Sequence, residues 1–66
     1  MAEMSVGKKL KMLRGARSTA EIAELVGISE SALKMYELDE RAPRDNIKVR
    51  LARLYGVSVG SLFFAE

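Results

Sequence analysis

The sequence predicts an all-α fold, compact and built from five short helices. Three observations carry that expectation. Four serines (Ser5, Ser18, Ser29 and Ser58) each stand just ahead of a stretch whose apolar residues recur at helical spacing, where a side-chain oxygen can cap the first turn. Three glycines (Gly15, Gly27 and Gly56) stand where such stretches stop. Third, 66 residues that are 48% hydrophobic and 30% charged suit one small core rather than a disordered tail. No internal repeat, low-complexity tract or linker divides the chain, so residues 1–66 read as a single domain.

Met1 to Met4 show no periodicity and are expected to fray. Ser5 then caps a first helix with Val6, Leu10 and Leu13 on its inner face, closed by Gly15. After a short connection, Ser18 opens a second helix. Glu21 can reach back to Ser18, which completes a capping box, and Ile22, Ala23, Leu25 and Val26 supply the buried face. Gly27 stops this helix and Ile28 plugs the turn. Ser29 caps a third helix that runs to Glu37 with Leu33 and Tyr36 inward. Pro43 fixes an extended link into a fourth helix from about Arg44 or Asp45 to Tyr55, with Ile47, Leu51, Ala52, Leu54 and Tyr55 apolar. Gly56 closes it, Val57 packs, and Ser58 caps a last short helix carrying Val59, Leu62 and Phe63. Helix, tight glycine turn, helix over residues 18–37 is the arrangement that presents its second helix to a DNA groove.

Ala23, Gly27, Ile28, Ser29, Leu33 and Glu37 fall at the spacings of the helix-turn-helix domain of the phage-repressor (Cro/C1, Xre-like) family, which the chain resembles. The flanks agree: Leu13-Arg14 upstream, then Arg41-Ala42-Pro43-Arg44, Leu51-Ala52, Gly56-Val57-Ser58 and Leu62 downstream. The similarity covers about Val6 to Phe64, and the shared register over that length makes it specific. It implies a lambda-repressor-like five-helix domain that binds double-stranded DNA. Three departures stand out. The connection Gly15-Ala16-Arg17 is about two residues shorter than in many relatives, Asp39 replaces a usual glycine, and Thr19 replaces a frequent glutamine. Aspartate tolerates the left-handed conformation, so the third helix can still end there. Threonine is expected to keep a phosphate hydrogen bond but to be too short to brace the recognition helix.

The resemblance makes the third helix the recognition helix and exposes Ser29, Glu30, Ser31, Ala32, Lys34 and Met35 as base-reading candidates. Ser31 can bond several bases, Lys34 can donate to guanine or phosphate, and Ala32 or Met35 can touch a thymine methyl. Glu30 admits two roles: accepting from a cytosine amino group, or complementing the helix dipole. Phosphate candidates are Thr19, Arg41, Arg44 and Lys48, while Lys8, Lys9 and Lys11 lie on a helix expected to sit mostly behind the recognition helix. Arg14 and Glu37 occupy positions whose side chains pair across the core in relatives, so a partly buried structural ion pair is expected. Adjacent Phe63 and Phe64 cannot both face one core. With Val59 and Leu62 they form the expected dimer interface of a two-fold homodimer reading a palindromic operator.

Charge and composition limit the alternatives. The net +2 hides alternating blocks. Lys8, Lys9, Lys11, Arg14 and Arg17 against Glu3 give +4 over residues 1–17. Glu21, Glu24, Glu30, Glu37, Asp39 and Glu40 against Lys34 give −5 over 18–40, and Arg41, Arg44, Lys48, Arg50 and Arg53 against Asp45 give +4 over 41–56. On DNA, phosphate neutralisation would therefore come mainly from the flanks of the helix pair. The acidic middle block instead favours the competing reading, a protein-interaction module of antitoxin-like or anti-repressor type. Absence of histidine and cysteine removes the usual general base, thiolate ligands and disulfides, so neither an enzyme nor a metal or other cofactor is expected. No small-molecule ligand is expected either. No apolar run approaches the ~20 residues of a membrane span, and no signal-peptide core is present, which makes the cytoplasm the default location. With little sequence beyond the fifth helix, no sensor or catalytic domain is expected, and regulation would act through concentration, dimerisation or a partner protein.

Overall fold

The computed structural model describes residues 4–64, and five helices make up the fold among them: α1 (Val6–Arg14), α2 (Thr19–Val26), α3 (Glu30–Glu37), α4 (Asp45–Tyr55) and α5 (Val59–Phe63). Of the segment expected to fray, Met1, Ala2 and Glu3 lie outside the described residues. Met4 precedes α1 and is exposed.

Each helix contributes one side chain that is removed almost completely from solvent: Leu10, Ile22, Leu33, Leu51 and Leu62, all at 0–1% exposure. Ala23, Val26, Tyr36 and Ala52 fill the space between them. The Cα radius of gyration, 10.8 Å, is what a tightly folded chain of this length should have, about 11 Å. Truncating any of the five to alanine would cost on the order of 2–5 kcal/mol, the lost burial of the side chain adding to the cavity left behind.

The serine caps form as expected. Ser5, Ser18, Ser29 and Ser58 each accept the backbone N–H three residues on, at 3.0–3.2 Å. Of the proposed capping box, the Ser18 half is present, with Glu21 N–H as its donor. α4 differs, since its cap residue Arg44 makes no side-chain hydrogen bond and the fixed Pro43 link leads into the helix instead.

Three helices end in one way. The Ile28 N–H donates to the Ala23 carbonyl, Val57 to Ala52, and Glu40 to Met35, each closing the six-residue loop of a Schellman motif. Gly27 and Gly56 sit at its left-handed position at φ 85° and 69°, and Asp39 takes the same place after α3 at φ 60°. Aspartate thus does the work of the missing glycine.

Two apolar expectations fail. Leu25 is 59% exposed, and Leu13 faces solvent at the edge of α1. Both lie at helical spacing from buried neighbours, but a core this small covers only the centre of each stripe.

Candidate nucleic-acid interface

α2 and α3 are joined through Gly27 and the half-buried Ile28, and α3 is seated on the core by Leu33 and Tyr36. Its opposite edge presents Ser29, Glu30, Ser31, Lys34 and Met35 to solvent, whereas Ala32 turns partly inward against the core. That reduces what Ala32 can offer a base edge.

The N-terminal end of α3 is braced. The Thr19 hydroxyl, in the first residue of α2, donates to Glu30 Oε2 at 2.6 Å, tying the starts of the two helices together. This corrects the expectation that threonine is too short. The brace exists because its partner is a carboxylate in the first turn of α3 that can meet it. The Thr19 bond, with Lys34 Nζ 3.7 Å away one turn on, holds the Glu30 carboxyl below the ordinary carboxylate range.

The C-terminal end of α3 is clamped twice. Arg14 Nε and Nη2 donate to the two carboxylate oxygens of Glu37 at 2.8 and 3.1 Å, and the side chains retain only 15% and 7% exposure. The fork geometry matches a carboxylate in two parallel bonds. Arg14 Nη1 also donates to the Arg17 carbonyl at 2.8 Å, which closes the short connection. The hydrogen bond to Glu37 raises the already high Arg14 pKa, so the guanidinium stays charged. One residue past α3's cap, Asp39 Oδ1 accepts the Gly7 N–H at 2.8 Å, capping α1 from outside. The Ser5 hydroxyl and the Gly7 N–H together hold the Asp39 carboxyl below its usual range, with Lys8 adding to the effect. Here α1 comes so close to α3 that a Cβ on Gly7 would collide with the Glu37 carbonyl. A third tie comes from α4, where Arg50 Nη1 donates to the Val26 carbonyl at the C-terminal end of α2 at 3.2 Å. Asp39 was legible as a turn residue but not as a cap of α1, and nothing in the sequence marks Arg50.

The phosphate candidates separate. Arg41 and Arg44 are exposed on the segment leading into α4. Thr19 is engaged by Glu30. Lys48 is 20% exposed in its side chain, 3.8 Å from Asp45, with its ammonium over the rings of Phe63 and Phe64 at 5.7 and 5.1 Å. It therefore packs against the C-terminal aromatics rather than extending freely as a phosphate ligand would.

Within the expected dimer interface, Leu62 must be withdrawn: at 1% exposure it belongs to the core of its own chain. A five-residue helix has a single position that reaches the centre, and Leu62 fills it. Val59 and Phe63 are half-buried, and Phe64, just past the helix, is 54% exposed.

Lys8, Lys11 and Arg14 line a groove of about 500 Å3 together with Thr19, Lys34, Glu37, Leu38 and Asp39, so the basic face of α1 adjoins α3.

Among the described residues no helix is long and apolar enough to cross a membrane, and no three acidic side chains gather where they could hold a metal ion. A comparison with curated protein sequences gives no match. Residues 5–62 match the family described as helix-turn-helix domain, a span that takes in the four capping serines, the three glycine stops and every fully buried side chain. The chain belongs to that helix-turn-helix family, whose fold is a DNA-binding one.

Proposed function

We propose that the protein is a sequence-specific, double-stranded-DNA-binding transcriptional regulator of the phage-repressor (Cro/C1, Xre-like) kind, acting in the cytoplasm as a small homodimer on a palindromic operator. The observation that carries this reading is the mounting of α3. Its inner face is sunk in the core, its start is braced by Thr19–Glu30, and its end is clamped by Arg14–Glu37, while its outer edge stays open. A rigid helix with one free edge suits major-groove reading, because base contacts discriminate only when donor and acceptor positions are fixed.

Ser29, Glu30, Ser31, Lys34 and Met35 are the base readers in this proposal, with Ala32 limited to a methyl contact. Bonded on one oxygen by Thr19, Glu30 keeps lone pairs for a cytosine amino group and repels acceptor edges. Arg41 and Arg44 grip phosphate. Val59, Phe63 and Phe64 supply the seam between two copies, which sets the recognition helices about 34 Å apart, one DNA turn. Repression follows most simply, since a dimer lying across a promoter blocks polymerase without further surfaces.

The interaction-module reading draws on the acidity of residues 18–40. Of that block's six carboxylates, Glu37 is held by Arg14 through both oxygens, and Glu30 and Asp39 each accept one bond, from Thr19 and Gly7. That weakens its best support. Selection of random duplexes on the purified protein tests the proposal. Enrichment of a palindrome with half-sites one turn apart is expected, and recovery of no preferred sequence would overturn it.

A further inference from the structure

Lys8 and Lys9 are neighbours in sequence and belong to different faces of the molecule. The Lys9 ammonium donates to the Ser61 carbonyl at 3.1 Å, on the α5 side of α1. Lys8 lines the groove between α1 and α3, with Lys11 one turn further along the same helix and Lys34 across it on the recognition helix. The groove counts four cations (Lys8, Lys11, Arg14 and Lys34) against two carboxylates, Glu37 and Asp39, a net +2.

Both carboxylates are committed. Arg14 holds Glu37 through two bonds, and Asp39 accepts the Gly7 N–H. Lys8 and Lys11 are exposed and take part in no ion pair among the described residues. Lys34 has a loose partner in Glu30 at 3.7 Å, both side chains being about half exposed, and such a pair is readily exchanged for a better anion. Leu38, 67% exposed, gives the groove an apolar edge.

Resting on the DNA-binding reading, we propose that this groove holds a stretch of the DNA sugar–phosphate backbone, with Lys8, Lys11 and Lys34 as its phosphate ligands. The track continues from the Thr19 end of the recognition helix along α1, so α1 is part of the interface rather than a support behind it. Phosphodiester oxygens are the anions it takes, Leu38 rests against deoxyribose, and no base is read there. Its contribution is affinity without sequence preference.

Lys9 supplies the control, since it carries the same charge on the same helix. Binding to a mixed-sequence duplex is followed against salt for the wild type, Lys8→Gln/Lys11→Gln, Lys11→Gln alone and Lys9→Gln, with thermal melts to establish that each is folded. Each lost phosphate contact flattens the log–log salt slope by about 0.9. The double variant is expected to lose about tenfold less affinity than wild type between about 50 and 200 mM salt, because two such contacts are gone. Lys11→Gln, which leaves Lys8 beside Asp39, should show half of that slope change, and Lys9→Gln should follow the wild type. An unchanged slope in the double variant, or an equal change in Lys9→Gln, would overturn the track while leaving DNA binding in place. Failure of the wild type to bind any duplex at low salt would instead remove the DNA-binding reading, and the track with it.

Discussion

Arg14 ties the end of α3 to the connection ahead of α2 without lying on the outer edge of α3. Its guanidinium serves Glu37 through two nitrogens and the Arg17 carbonyl through the third, so a single side chain fixes both the end of α3 and the start of the α2 approach. Removing one partner leaves a shielded charge uncompensated, which is far costlier than losing a surface pair. Arg14→Met is therefore expected to lower stability by about 3 kcal/mol in urea denaturation, and Arg14→Met/Glu37→Leu to recover part of that loss. Melting like the wild type would show that the pair contributes nothing. Tyr55 sits nearby as a contrast: its hydroxyl is buried with no hydrogen-bond partner among the described residues, and burial pushes its pKa up.

Among the elements, the ends of helices were legible and their mutual attachments were not. Ser5, Ser18, Ser29 and Ser58 each meet an N–H three residues away, and Gly27 and Gly56 turn the chain where they stand, so a local pattern suffices to find them. Thr19–Glu30, Arg50–Val26 and Gly7–Asp39 join residues 11, 24 and 32 apart in sequence. Their meeting depends on how α1, α2, α3 and α4 cross, which no periodicity encodes. Leu25 and Leu62 failed in opposite directions for one reason, that spacing identifies a stripe but not how much of it the core can reach. The bond from α1 to Asp39 gives an element-scale prediction. Its folded-state pKa is depressed, so its contribution is present above the unfolded value near 3.9 and is lost as pH falls through the lower folded value. Asp39→Asn keeps a residue that tolerates positive φ and removes the charge. Its melting temperature should lie below the wild type at pH 7, and the gap should close as acidification protonates the Asp39 carboxyl. A gap independent of pH would mean the carboxylate is not what holds α1.

At the scale of the whole molecule, the C-terminal aromatics divide their duties between core and surface. Leu62 is interior, Phe63 packs partly on the core, and Phe64 is the large apolar group left outside, beneath the ammonium of Lys48. Fold and association should then respond to different changes. Sedimentation of Phe64→Glu is expected to give a monomer of undiminished helix content, whereas Leu62→Ala should lose about 2–5 kcal/mol of stability. An unaltered mass for Phe64→Glu would remove the dimer seam from the proposed function.

That each helix sends one side chain to a common centre has a consequence for how the chain comes apart. The five form a ring of mutual dependence with no spare member, and the pair around Gly27 has no interior of its own to fall back on. Slowest-exchanging amides in α3 should open only when the entire assembly does, and a protease that clips away α5 would melt α3 along with it.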